Sequence, residues 1–185
     1  KHTVSYSDII FSGNSKNSIP PINTPKFISV AEASSWLKNS EPVLSLESNG
    51  VAKAYPIQII IWHEIINDEI ANVPVAITYC PLSNTGDTFI RKFGDTIFNF
   101  GTTGHIRLSH LLIYDEYSET WWQQATGQAI AGKYAGSNLS FFPTHLISWK
   151  EFKETYSTGL VMSLDTGYIR AYGRNPYLNY DSSQI

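Results

Sequence analysis

Val43-Leu44-Ser45-Leu46-Glu47-Ser48-Asn49-Gly50-Val51-Ala52-Lys53-Ala54-Tyr55 is the stretch on which the fold turns. Two runs suited to half-buried strands flank Asn49-Gly50, a dipeptide that accepts positive φ at both positions of a two-residue turn. The segment reads as an antiparallel hairpin of residues 43–47 and 51–55. Working outward, residues 88–93 and 96–100 flank Gly94-Asp95 and read as a second hairpin. Residues 73–80, 111–114 and 160–163 add further strands. Many short strands separated by turn signals predict an antiparallel sheet curled on itself.

Two helix starts interrupt this pattern. Ser29-Val30-Ala31-Glu32 places Ser at an N-cap and Glu three residues on. It predicts a helix over 30–37 with Val30, Ala33 and Leu37 inward. Ser148-Trp149-Lys150-Glu151 does the same for 149–156, with Trp149, Phe152 and Tyr156 on one face. Residues 57–66 are rich in β-branched side chains, which favour strand. Their length, Pro56 before them and Asn67-Asp68 after them favour a buried helix. The helical reading puts His63 and Asn67 on one face and turns Glu64 about 100° away.

The expected fold is therefore α+β, mainly antiparallel β, with a barrel-like sheet and two or three short helices. Pro20-Pro21 and Pro25 lie in a Ser-, Asn- and Gly-rich stretch. It reads as an extended arm, residues 1–28, packed on a globular domain of residues 29–185.

Composition excludes some classes. Charged residues make up 16% of the chain, net charge is −3, and Lys and Arg form no run. Nothing favours nucleic acid as a partner. The longest apolar run, residues 57–62, falls well short of the ~18 residues of a membrane span. The chain opens Lys1-His2-Thr3-Val4 without a signal-peptide pattern, which fits a start that has been cut.

Three ordered stretches carry a resemblance: Ala54-Tyr55-Pro56, Trp62-His63-Glu64-Ile65-Ile66-Asn67-Asp68 and Val73-Pro74-Val75-Ala76-Ile77-Thr78-Tyr79-Cys80-Pro81-Leu82. They resemble the bacterial and archaeal domain-of-unknown-function family 3179. Ser12-Gly13, Ile19-Pro20 and Pro25-Lys26-Phe27 are similar to its opening segment. Tyr114-Asp115, Trp122-Gln123-Gln124, Gly127 and Ala129-Ile130-Ala131-Gly132 are similar to its middle. Asp165-Thr166-Gly167-Tyr168, Tyr172-Gly173-Arg174 and Pro176-Tyr177 are similar to its end. The resemblance brings no established activity with it and implies an exported or cell-surface protein. It also implies Cys-Pro-Leu-Cys where this chain has Cys80-Pro81-Leu82-Ser83. A two-thiol redox pair or thiolate clip is thereby excluded. The chain acts through Cys80 alone or is a degenerate member.

Cys80 is the one cysteine. Pro81 forces it into extended geometry at a strand end. By alternation Ala76, Thr78 and Cys80 share one strand face, and Val75, Ile77 and Tyr79 the other. A reactive thiol needs a neighbouring imidazole. The catalytic expectation is a cysteine-dependent hydrolase or acyl/thiol transferase, with Cys80 as nucleophile, His63 as base, and Asn67 or Glu64 as orienting group. Amides around Ser83 and Asn84 then receive an oxyanion. The binding expectation places Trp122, Gln124 and Glu64 along one cleft for a small molecule, peptide or glycan. Asp115 and Arg174 are further polar candidates, with Arg174 reaching an anion or Glu64. A metal held by His63, Glu64 and Cys80 is the lesser alternative, because adjacent helical residues diverge; no cofactor is expected. The bland alternatives are a Cys80 that fills core and a Glu64 that binds backbone amides. Of Trp121 and Trp122, one should face inward and the other outward.

Overall fold

The computed structural model describes residues 1–178. In chain order its strands and helices are β1 (Ile10–Phe11), β2 (Phe27–Ser29), α1 (Val30–Ala33), β3 (Pro42–Ser48), β4 (Val51–Pro56) and α2 (Ile57–Ile60). Then come β5 (Ile65–Ile70), β6 (Val73–Cys80), β7 (Thr85–Ile90), β8 (Lys92–Phe93), β9 (Thr96–Ile97), β10 (Phe100–Arg107) and β11 (His110–Asp115). The chain continues through β12 (Trp121–Gln123), β13 (Gln128–Ala131), β14 (Phe141–Phe142), β15 (His145–Ser148), α3 (Trp149–Thr155) and β16 (Leu160–Met162).

The hairpin at Asn49-Gly50 forms as expected. Asn49 and Gly50 take φ of +48° and +77°, and β3 pairs with β4 from Ser48↔Val51 to Val43↔Pro56. Gly94-Asp95 also turns a hairpin, but β8 and β9 are two residues each. Half of the strand expected before it, residues 88–90, belongs to β7, which pairs with β6. Ser29 and Glu32 close a reciprocal capping box, and Ser148 caps α3. α1 is shorter than expected, ending at Ala33, while α3 runs to Thr155 with Tyr156 as its C-cap, as expected.

Among the described residues no sheet closes into a barrel. Instead, layers stack. The first sheet, β15-β3-β4-β16-β2, packs Val43, Ala52, Ala54 and Val161 against Trp149 and Phe152 of α3. Its other face meets the middle sheet, β14-β7-β6-β5, through Leu44, Leu46, Tyr55, Ile66, Val75 and Ile77. The middle sheet's far face packs Ala76, Cys80 and Phe89 onto the third sheet, β1-β10-β11-β12-β13, at Phe100, Ile113 and Trp122. β6 is buried on both faces, and its alternation assigns side chains to two cores as the sequence predicts. Closure would have required strands of one sheet to bend around a single core. Two apolar faces on β6 call for a layer on each side.

The N-terminal segment is woven into the sheets instead of lying on them as an arm. β1 pairs with β10, and β2 pairs with β16. Ile22 bridges the open edge of β5, its N–H donating to Ile65 O and its carbonyl accepting from Asn67 N–H. Asn67 extends that edge with its side chain. Its Nδ2 donates to Phe100 O (2.9 Å) and Asn23 Oδ1 (2.7 Å), while Oδ1 accepts from Phe100 N–H (3.0 Å). The amide therefore pairs with a peptide of the third sheet as a strand would, and it covers an edge that would otherwise present bare polar groups.

Asn67→Ala leaves the Phe100 peptide unpaired in the interior and is expected to cost about 2–4 kcal/mol. Urea unfolding should show a lower midpoint at unchanged slope. Asn67→Asp keeps only the acceptor and should also destabilise. A midpoint equal to wild type in both would refute the edge-pairing role.

Candidate functional site

The helix expected over 57–66 lasts one turn. Pro56 occupies the N-cap of α2 and makes no side-chain cap bond. After Ile60 the chain tightens and Glu64 takes φ +61°. Its N–H returns to Ile60 O (2.6 Å), and its carbonyl accepts from Tyr79 N–H of β6 (2.9 Å). Ile65 then begins β5. The β-branched residues of 65–70 take strand geometry, where their crowding is relieved. Left-handed backbone is uncommon outside glycine and costs on the order of 1 kcal/mol or more.

That turn aims the Glu64 side chain into a cavity of about 70 Å³ lined also by Leu82, Thr102, His105, Leu111 and Tyr177. Glu64 is 4% exposed. Tyr177 Oη–H donates to its Oε1 at 2.9 Å. Burial pushes the carboxyl up to about 7, and the Tyr177 hydrogen bond opposes the shift without cancelling it. Burial and the Glu64 charge push the Tyr177 phenol up in turn, so it remains a donor. On the outer side of Tyr177 lies a cleft of about 410 Å³, lined by Ile61, Tyr79, Pro81, Asn84 and Asn175. Leu82 and Tyr177 border both spaces, so the phenol stands between Glu64 and the cleft.

His63 points elsewhere. Its Nδ1 lies 2.9 Å from Pro20 O, and its Nε2 lies 2.7 Å from Tyr172 Oη. A carbonyl can only accept, so Nδ1 carries the proton and Nε2 accepts from the phenol. Tyr172 Oη then accepts from Thr166 Oγ1 at 2.6 Å. Burial holds His63 below its ordinary pKa; the Pro20 carbonyl works against this and the Arg170 charge adds to it. The ring is a neutral clamp that ties the N-terminal segment and the C-terminal tyrosines to this turn.

Cys80 is fully buried beside Ile65, Ala76, Phe100 and Leu111, and its Sγ faces Ser109 O at 3.6 Å. The expected Cys80–His63 pair is not formed, because both imidazole nitrogens are engaged with other groups. Asn67 does not share a helical face with His63; it sits in β5 and serves the Phe100 peptide. Nor do His63, Glu64 and Cys80 converge on one point, since the only lone pair of the imidazole is taken by Tyr172. No group of three or more His, Cys, Asp or Glu side chains stands together among the described residues.

The remaining candidates are dispersed. Ser83 Oγ meets Thr85 Oγ1 (2.8 Å), and Asn84 Oδ1 accepts from Tyr79 Oη (2.7 Å) at the cleft. Trp122 is fully buried and donates to Asp115 Oδ2 (2.9 Å), which also holds Ser118 N–H (2.6 Å to Oδ1) in a tight turn. Gln124 is buried between Thr78 and Asp87 (3.2 and 3.3 Å). Trp122 and Gln124 therefore do not line a cleft with Glu64. As expected, its neighbour Trp121 faces the other way and is half-buried. Arg174 meets Trp62 Nε1–H with its backbone carbonyl (3.1 Å); Tyr177 takes the place expected of it at Glu64. Tyr172, Tyr177 and the Pro20 carbonyl are uncharged, so charge and metal-ligand patterning in the sequence do not single them out. The nearby Tyr172-Gly173-Arg174 and Pro176-Tyr177 motifs were the available signal.

Fold and site together define a layered, mostly antiparallel α+β protein with a protonatable carboxyl in a small cavity. The chain belongs to the family described as Protein of unknown function (DUF3179), whose model matches residues 16–185. Comparison with curated proteins finds no match, and neither does comparison with solved structures.

Two outcomes follow. The folded state holds the Glu64 proton up to about pH 7, whereas the unfolded chain releases it near 4.5. The stability this supplies is complete below about pH 4.5 and is lost as pH rises through about 7, a change of about 3 kcal/mol. Glu64→Gln should therefore gain on wild type by that amount across the window in urea titrations; a pH-independent difference would refute the buried carboxyl. Iodoacetamide should label native Cys80 roughly a hundredfold or more slowly than urea-unfolded protein. Fast native labelling would contradict its burial.

Proposed function

We propose that this protein binds a small uncharged carbonyl compound, an amide or a protonated acid, at Glu64, with Tyr177 as the second contact and the outer cleft as the approach. The observation that carries the reading is the carboxyl of Glu64, desolvated, held on a left-handed backbone and bonded to the protein through Oε1 only among the described residues. A neutral carboxyl has one donor and one acceptor side, which complements an amide or acid. Leu82, Ile106, Leu111 and Leu112 in the cavity lining strengthen such bonds and disfavour a charged guest. The same group, poised near neutral pH, is suited to proton transfer with a bound carbonyl compound.

A cysteine-dependent hydrolase or transferase gains less support. Cys80 has no imidazole bonded to it, and the Leu82–Asn84 turn is occupied by its own contacts with Tyr79 and Thr85. With Ser83 in place of the second thiol that the family resemblance implies, binding without catalysis is the companion reading.

Acetamide is the probe. Saturation-transfer NMR at about pH 6 and about pH 8, either side of the Glu64 midpoint, should show contact at the lower pH that weakens roughly tenfold at the higher. Glu64→Ala should abolish it and Tyr177→Phe should weaken it. Binding that persists unchanged in Glu64→Ala would sink the proposal.

A further inference from the structure

A second concavity lies on the third sheet, away from Glu64. Residues 1–3 pair along β13, with Thr3 N–H donating to Ile130 O and Gly132 N–H to Lys1 O, both at 2.9 Å. β1 pairs with β10, at the opposite side of the same sheet. Residues 4–9 must therefore cross the sheet face. Between this crossing and the strands is a cavity of about 300 Å³, lined by Tyr6, Ile9, His105, Glu119 and Trp121.

Its walls are aromatic and its rim is polar. His105 and Trp121 rings stand 5.0 Å apart, and Phe11 lies 5.4 Å from His105. Tyr6 is 64% exposed and braced by His2 at 4.5 Å. His105 Nδ1 is taken by Thr103 O at 3.1 Å, which leaves Nε2 as an acceptor. Trp121 Nε1–H and the Tyr6 hydroxyl have no protein partner among the described residues. Glu119 is paired with Lys16, so the rim offers both donor and acceptor with no net charge.

We infer that this concavity is a binding site for a neutral carbohydrate. A pyranose presents an apolar C–H face, which packs on an indole, and a perimeter of hydroxyls that both donate and accept. Trp121 supplies the platform; Tyr6, His105 and Glu119 supply the perimeter. The volume lies at the small end of ligand sites and suits one or two sugar rings. A quaternary ammonium ligand also favours aromatic walls, and a free carboxylate beside them would favour it further. Lys16 cancels the one carboxylate present. The inference stands apart from the Glu64 site, although His105 borders both cavities.

The test is saturation-transfer NMR with methyl glucoside, N-acetylglucosamine, maltose and cellobiose, with choline as comparison. At least one sugar should bind, Trp121→Ala should weaken it roughly tenfold, and Glu64→Gln should leave it unchanged. Tyr6→Ala, at an exposed side chain, should also weaken binding while circular dichroism stays unaltered; this keeps the test decisive if Trp121→Ala fails to fold. The inference is overturned by no transfer to any sugar, by sugar contact unaffected in both variants, or by transfer to choline in place of sugar.

Discussion

Glu64 has a left-handed backbone and a side chain held out of water, and the arrangement around it depends on that single reversal. The turn ends α2, starts β5 in register with β6, and sends two neighbouring side chains in different directions. Glu64 enters the cavity; His63 goes to Pro20 and Tyr172. The conformation and the buried carboxyl each oppose folding by one to a few kcal/mol. Ile59, Ile60, Ile65 and Ile66, all fully buried around the turn, contribute about 2 kcal/mol each. Hydrophobic burial outweighs the local strain and fixes the carboxyl in place.

β6 sets the second level of organisation. Its alternate faces serve different cores, so the layers are built outward from it. This placement also decides the fate of Cys80. The thiol belongs to the face that packs on the third sheet, where Ile65, Ala76 and Phe100 enclose it. Its low exposure follows from strand alternation, without any special environment for sulfur.

The Glu64 cavity is completed by chain ends. Tyr177 arrives from 113 positions downstream, and the His63 clamp ties Tyr172, 109 positions away, to the same turn. Pro20 approaches from the other side. Such long-range closure costs chain entropy and is held by a few hydrogen bonds over a segment with little regular structure. The outer wall of the site is thus its least embedded part.

Much of the secondary structure was legible because it is local. Asn49-Gly50 tolerates positive φ, Ser29 and Glu32 satisfy a helix start, and period-two alternation divides β6 correctly. Residues 57–66, whose apolar length and β-branching suit helix and strand alike, divide into one helical turn and the start of β5, and nothing local marks the left-handed Glu64 at which they divide. Closed barrel and stacked layers also share one strand pattern; they differ in which faces meet.

The sequence by itself determined the strand-rich α+β class, the hairpin, the helix caps, and that the stretch from His63 to Cys80 carries its unusual residues. Only tertiary structure decided that Cys80 is sealed, that His63 is a clamp, and that Tyr177 meets Glu64. The reason is range. Dihedral preference and alternation act over a few residues, whereas desolvation and hydrogen-bond partnership here depend on segments from tens to more than a hundred positions apart.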